Sequence, residues 1–288
     1  MIEVLLVLLV TALSTSLLGV FLVLKNSSMA TDAISHTILL GIVVAFFITQ
    51  DLRSPLLIIG ATVIGLVTVY LIEVVTSTRL MKQDAAIGVV FTALFALAVI
   101  LVSRYADDIH LDIDVVLMGQ VLFAPLNRVD VLGVSLPYAL VQLTIILIIN
   151  LLFITIFYKE LKLTSFDPVY ATVAGFSTSL IYYILMSLVS VTAVTAFDAV
   201  GSILVISFFV APAATSYLLV KRLSHMIFMS LGISAFNSIV GCLIGYYADL
   251  SISGSVATVS TLVFFFVFAA VHYDKSKKKK HISIGTDH

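Results

Sequence analysis

The stretch VLLVLLVTALSTSLLGVFLVL, residues 4–24, contains no charged side chain and is long enough to cross a membrane as one α-helix. Similar uncharged stretches recur along the 288-residue chain. They are far longer than the strands of a membrane barrel, and they do not alternate between polar and apolar residues. Because a spanning segment must satisfy its backbone polar groups internally, these stretches are predicted to be helices.

The expected fold class is all-α, a polytopic membrane bundle of nine spans, or of eight if one segment is re-entrant. The segment Ala33–Gln50 is interrupted only by His36, and Pro168–Phe197 is long enough for a short surface helix followed by one span. The other predicted spans are Val4–Leu24, Ser54–Ile72, Ala85–Ser103, Val131–Tyr158, Ala199–Val220, Met226–Ala248 and Leu250–Val271.

The composition leaves no room for a sizeable soluble domain. Hydrophobic residues make up 61% of the chain and charged residues 11%, whereas soluble domains carry about 25% charged residues. A substrate-binding ectodomain and a Walker-type ATPase are therefore not expected within this chain. The single cysteine, Cys242, lies in an apolar segment and is interpreted as a packed core residue.

Lysine and arginine residues indicate the orientation in the membrane. They occur in four connections, near positions 79, 159, 221 and 275, and the spans that separate these connections come in even numbers. Since positive residues favour the cytoplasmic side, the C-terminus is predicted to be cytoplasmic and the acidic connection at 107–114 external. The transmembrane domain is predicted to cover residues 1–274, and residues 275–288 a basic cytoplasmic tail whose lysines bind anionic lipid.

The segment KNSSMATDAISH, residues 25–36, places ionisable side chains at the edge of a predicted span. Thr31 and Asp32 are favourable N-cap residues, so a helix is predicted to begin there. His36 lies one helical turn after Asp32, which places the carboxylate and the imidazole on one helix face. An oxygen and a nitrogen ligand suit Mn²⁺, Fe²⁺ or Zn²⁺. The alternative is a capping aspartate beside a histidine that is hydrogen-bonded within the bundle.

A second polar connection, residues 159–175, lies on the predicted cytoplasmic side. Ser165 or Asp167 can cap a short helix, and Pro168 is favoured in its first turn. Small residues then give this helix a face suited to close docking: Ala171, Ala174 and Gly175. The segment is interpreted either as a helix that transmits force from a soluble partner or as an interfacial linker.

Residues 198–215 combine features of a mobile helix and of a packed one. Asp198 and Gly201 stand at the start of this segment. Pro212 removes a backbone hydrogen bond and is expected to kink the predicted span, while the small residues after it permit tight packing. The segment is interpreted either as an element that lines a pathway or as a packed helix.

Together these segments resemble the manganese/zinc/iron family of ABC-type metal permeases, in the same order over nearly the whole chain. Each motif is weak alone, whereas six in the right order are specific. The motifs are Asp32-Ala-Ile-Ser-His36 with Gly41, Asp84-Ala-Ala-Ile-Gly88, Leu117-Met-Gly119, Phe166-Asp167-Pro168 with Ala171 and Gly175, Ala199-Val-Gly201 with Pro212-Ala-Ala-Thr215, and Ser253-Gly254.

The resemblance implies the fold of the iron-siderophore and vitamin B12 importer permeases, in a bacterial plasma membrane. It implies a cytoplasmic ATPase, an extracellular metal-binding lipoprotein and a second permease copy, identical or a sister chain. Asp32 and His36 become ligands of the transported ion, with manganese favoured over zinc or iron, and Phe166–Gly175 becomes the coupling helix that docks on the ATPase. No permanently bound cofactor and no nucleic-acid partner is expected.

Two other function classes compete with this interpretation. An ion-coupled secondary transporter also uses broken helices and polar sites at membrane depth, but it works without an ATPase. An intramembrane metalloprotease needs three metal ligands and a general base, commonly as His-Glu-x-x-His on one helix. That motif is absent from the sequence, so the chain is predicted to be a transport subunit and not an enzyme.

Overall fold

The structure is a computed structural model that describes residues 1–51, 54, 56–105, 121–131 and 133–284. Within these residues, nine helices are long and apolar enough to cross a membrane. The predicted all-α bundle of nine spans is therefore confirmed. The acidic connection and the Leu117-Met-Gly119 motif lie outside the described residues.

The elements follow one another as a chain of spanning helices with a polar connection in the middle. The first part contains α1 (Ile2–Leu24), α2 (Met29–Thr49), α3 (Leu56–Ser77), α4 (Gln83–Tyr105), a 3₁₀ turn (Val121–Leu126), β1 (Arg128–Val131), β2 (Val134–Pro137) and α5 (Tyr138–Ile156). The second part contains α6 (Tyr158–Phe166), α7 (Pro168–Val173), α8 (Thr178–Val200), α9 (Ser202–Leu219), α10 (Leu223–Tyr247) and α11 (Ile252–Ile284). α11 continues past position 274. No helix end therefore coincides with the predicted boundary between the transmembrane domain and the basic tail.

α1 is the central helix of the bundle. It packs against α5, α8, α9 and α10, and its buried residues lie on all of its faces. The Thr11 hydroxyl donates to the Val7 carbonyl at 2.7 Å, and the Thr15 hydroxyl donates to the Thr11 carbonyl at 2.8 Å. Each bond joins consecutive turns of the same helix, so α1 buries these polar groups without a partner from another helix.

A second group, formed by α2, α3 and α4, packs beside this core. The two groups meet where α3 contacts α8. Gly65 of α3 faces the Ser190 side chain there, and the Ser190 hydroxyl donates to the Thr62 carbonyl at 3.2 Å. The small residue allows the two helices to approach closely.

The predicted span Val131–Tyr158 begins later than expected. Residues 128–131 and 134–137 pair as two antiparallel strands, and α5 starts only after them. The Arg128 guanidinium donates to the hydroxyl and the carbonyl of Ser135 and to the carboxylate of Glu3. These bonds stabilise the paired strands. The uncharged composition of β2 alone had placed it in the predicted span.

The boundary between α8 and α9 also differs from the predicted start of a span at Ala199. α8 runs through Val200, and α9 begins at Ser202. Gly201, between them, has φ +86° and ψ +156°, a conformation that is essentially restricted to glycine. Asp198 therefore lies in the last turn of α8.

Candidate functional site

α2 begins earlier than the predicted start at Thr31 or Asp32. Its first residue is Met29, and Ser28 precedes it without a side-chain capping bond. The Thr31 hydroxyl donates to the Ser28 carbonyl at 2.6 Å, inside the first turn. The prediction that Thr31 or Asp32 caps the helix is therefore wrong. Asp32 lies in the first turn instead, where the positive end of the helix dipole favours a carboxylate.

Asp32 and His36 share one face of α2, as their spacing predicts. Asp32 Oδ1 lies 3.6 Å from His36 Nε2, which is too long for a hydrogen bond. The imidazole stacks on Phe91 of α4 with 5.4 Å between ring centroids, and it meets Phe95 edge-on at 5.8 Å. The side chains of His36 and Asp32 are 37% and 38% exposed. Both side chains are therefore partly exposed on the surface of the single chain.

The described part of the chain brings no third metal ligand to this pair. No group of three or more His, Cys, Asp or Glu side chains in that part is placed to hold a metal ion. A resident zinc ion takes about three or four protein ligands. Two ligands bind an ion weakly, and weak binding suits a pathway from which the ion must leave again.

The opposite face of α2 is fixed to α3. The Thr68 hydroxyl donates to the Thr37 hydroxyl at 2.8 Å, and both side chains are fully buried. One turn further along α2, Gly41 packs against the backbone of Gly60 and Ala61, which leaves no room for a side chain. Because this face is held against α3, the face with the carboxylate and the imidazole is turned towards α4.

A polar pocket of about 320 Å³ lies at the end of the bundle where α2 begins. Its lining includes Lys25, Glu73, Gln83, Thr164 and Tyr182. Lys25 Nζ donates to the Thr164 carbonyl at 3.1 Å and to the Thr164 hydroxyl at 3.3 Å. Burial lowers the pKa of the Lys25 ammonium below its usual value.

Sequence reasoning missed this contact. Lys25 and Thr164 are 139 residues apart, and neither belongs to a motif that would connect them. A positive charge directly after an apolar span was the one available signal, and it indicates only the end of a helix at the membrane surface.

The polar connection at residues 159–175 lies in the short helices α6 and α7, and the predicted coupling helix Phe166–Gly175 contains all of α7. As predicted, Asp167 caps α7, because its carboxylate accepts a hydrogen bond from the Tyr170 N–H at 2.9 Å, and Pro168 is the first helical residue. Of the three small residues predicted to form a docking face, Ala171 is fully buried, whereas Ala174 and Gly175 are exposed. Gly175 ends the segment with φ +88°. The exposed side chains are apolar and larger, namely Phe166, Val169, Tyr170 and Val173.

The remaining predicted site residues do not join the pair on α2. Tyr182 of α8 lines the pocket at that end of the bundle, and Asp198 follows it by about 24 Å along the same helix. Asp198 and Gly201 therefore lie at the opposite end of the bundle. Pro212 is buried within α9, and the helix continues across it.

Comparison with known proteins identifies the family. A sequence model described as the ABC 3 transport family matches residues 1–271. The chain belongs to the ABC 3 transport family. The resemblance inferred from the motifs is thereby confirmed, and the chain is a multi-pass membrane protein of a transport family.

Two curated relatives cover most of this family member. The manganese transport system membrane protein MntD of Bacillus subtilis (strain 168) is 40% identical over 274 residues, which is 94% of this chain and 92% of the relative. The zinc transport system membrane protein TroD of Treponema pallidum (strain Nichols) is 43% identical over 266 residues, which is 92% of this chain and 72% of the relative.

Solved structures support the same fold. A chain of PsaBC from Streptococcus pneumoniae, solved in complex with Fab, matches with a TM-score of 0.76 and 30% identity, over 92% of this chain and 90% of that one. An ABC transporter in an inward-facing conformation matches with a TM-score of 0.64 and 16% identity, over 95% of this chain and 85% of that one. The second likeness shows the fold alone.

Proposed function

We propose that this chain is the permease of an ABC importer that moves a divalent transition-metal ion into the cell. Manganese is the favoured ion, with zinc and iron as alternatives. The proposal rests on Asp32 and His36, which present a carboxylate and an imidazole on one helix face while both stay accessible. The relatives named as manganese and zinc transport membrane proteins support it.

The geometry of the pair suits an ion in transit. Phe91 and Phe95 hold the imidazole ring against α4, so the histidine keeps its position while an ion arrives and leaves. The carboxylate attracts a cation, and the imidazole nitrogen favours a transition metal over calcium or magnesium. We propose that a second copy of the permease, identical or a sister chain, supplies the further ligands.

The same proposal assigns ATP hydrolysis to a separate cytoplasmic ATPase that docks on α7. The exposed apolar side chains Phe166, Val169 and Val173 form the contact surface. Asp167 and Pro168 begin the helix, Ala171 anchors it to the bundle, and Gly175 turns the chain towards α8.

The proposed orientation follows the basic connections. The coupling segment, the C-terminus and the basic tail at residues 275–288 lie on the cytoplasmic side of the plasma membrane, where the tail contacts anionic lipid. The transmembrane domain covers residues 1–274. The acidic connection lies outside, on the side from which a metal-binding lipoprotein delivers the ion.

The test is metal uptake into proteoliposomes that contain the permease, its ATPase and its binding protein, with Mn²⁺ and Zn²⁺ supplied in parallel. Asp32→Asn and His36→Gln remove the charge or the ligand nitrogen while keeping side-chain size. Asp249→Asn and His225→Gln are the matched controls, because both residues are exposed and lie outside the pair. We expect ATP-dependent uptake that the first two variants abolish and the controls retain.

Each contrary result identifies a different error. Uptake that needs no ATP would show an ion-coupled secondary transporter. ATP-dependent uptake that survives both Asp32→Asn and His36→Gln would remove these residues from the ion pathway. Comparison of the initial rates for Mn²⁺ and Zn²⁺ shows which ion the complex prefers.

A further inference from the structure

The turn between α1 and α2 is attached to α6 through one half-buried side chain. Lys25 is the residue directly after α1, and its Nζ atom reaches both the carbonyl and the hydroxyl of Thr164. Thr164 is buried in the last turn of α6. A movement of α6 therefore acts on the turn that leads into α2.

Both ends of this contact lie close to the proposed machinery. Thr164 precedes Asp167, the cap of α7, by less than one helical turn, and Lys25 precedes Asp32 by a short turn and the first residues of α2. α7 is attached to α6 through the hydrogen bond from the Asp167 N–H to the Leu163 carbonyl at 2.9 Å. The path from the ATPase surface to the proposed ion ligands is therefore short and continuous.

The pocket at this turn contains a second partner for the ammonium group. Glu73 of α3 lines the same pocket as Lys25 and Thr164. Its Oε2 atom is buried and has no hydrogen-bond partner, although its carboxylate interacts with the Tyr183 hydroxyl. Lys25 and Glu73, which both belong to the described residues, form no ion pair with each other in this conformation.

A buried carboxylate oxygen without a hydrogen-bond partner is costly, so a second state of the molecule that pairs it gains free energy from the new contact. The lysine side chain is long and flexible, and the pocket gives its ammonium group room to move. A charged group in a packed interface can have two discrete arrangements. Such a two-state element can transmit a structural change between distant parts of a protein.

We propose that Lys25 is a positioning residue that couples α6 and α7 to α2 by exchanging Thr164 for Glu73 during transport. This inference rests on the proposed function, since it concerns how ATPase movement reaches Asp32 and His36. In the arrangement seen here, Lys25 holds the α1–α2 turn against α6. In the alternative arrangement, Lys25 and Glu73 form an ion pair, and the turn follows α3 instead.

The test measures metal ions imported per ATP hydrolysed in reconstituted complexes. Lys25→Met and Glu73→Gln should each lower this ratio about 2- to 30-fold, the range in which coupling residues act. The double variant should be no worse than the more severe single variant, because both substitutions remove the same interaction. Lys25→Arg, which keeps the charge and the donors, should retain most of the ratio.

Lys221→Met is the control, because Lys221 is exposed in a connection between other helices. Size-exclusion chromatography shows whether each variant assembles with the ATPase. If Lys25→Met fails to assemble, Glu73→Gln and Lys25→Arg still decide the question. A ratio unchanged in both Lys25→Met and Glu73→Gln, or effects that multiply in the double variant, would overturn the exchange. Absence of ATP-dependent uptake in the unmodified complex would instead overturn the proposed function.

Discussion

Gly41→Ala is the substitution that most directly tests how α2 is held. A Cβ atom added at Gly41 would lie 2.6 Å from Ala61 Cα and 2.7 Å from Ala61 N, and closer still to the Gly60 carbonyl oxygen. Carbon atoms normally approach to about 3.5 Å. Since the obstacles are backbone atoms that cannot rotate away, α2 and α3 must separate locally by about 1 Å.

The cost follows from this separation. Overpacking a well-packed interface costs about 1–3 kcal/mol, and rigid backbone obstacles place Gly41→Ala towards the upper end of that range. A loss of this size should lower the unfolding temperature of the purified chain by about 5–10 °C. The shift should also move His36 relative to Phe91, and a displacement of about 1 Å at a functional group can reduce its activity a hundredfold.

The assay combines thermal unfolding in detergent with metal uptake in proteoliposomes. Gly232→Ala is the matched control, because a Cβ atom at Gly232 of α10 meets no atom within 4 Å. We expect the control to be at least as stable as the unmodified chain, since alanine is the better helix former by about 1 kcal/mol. If Gly41→Ala were as stable and as active as the control, the close approach of α2 to α3 would be wrong.

Three further substitutions test other parts of the structure. Thr68→Val removes the donor to Thr37 and should lower the free energy of unfolding by about 1 kcal/mol, measured by thermal unfolding beside the unmodified chain. Gly201→Ala places a side chain in a backbone conformation that costs about 1–3 kcal/mol. It should lower the unfolding temperature in the same thermal assay. Asp167→Ala removes the acceptor for the Tyr170 N–H, which should destabilise α7 by about 1 kcal/mol and weaken ATPase binding measured by co-purification, while Asp167→Asn retains both.

The structure adds more to the interpretation of the predicted coupling helix than to that of the proposed ion ligands Asp32 and His36. The spacing of Asp32 and His36 survives because both residues belong to one helix, whose periodicity depends on local geometry. The exposed surface of α7 could not be inferred in the same way. Ala171 is buried because α7 packs onto the neighbouring helices, and which side of a six-residue helix faces them depends on those neighbours.

Helix boundaries show the same distinction. The start of α2 at Met29 depends on hydrogen bonds of the preceding turn, where the Ser27 N–H donates to the Leu22 carbonyl at 2.9 Å. Cap preferences alone favoured Thr31 or Asp32, since each is a good capping residue in isolation. The hairpin before α5 likewise depends on contacts of Arg128 with Ser135 and Glu3. Glu3 precedes Arg128 by 125 residues.

The sequence by itself predicted the membrane class, nine spans with eight as the alternative, the helix face shared by Asp32 and His36, and a helix cap at Ser165 or Asp167. These features depend on apolar length and on residues within about one helical turn of each other. Only the tertiary structure decided that α1 is central, that His36 of α2 packs against α4, and that Lys25 and Glu73 share a pocket. Those features join residues far apart in the chain, and their contacts exist only once the helices have packed.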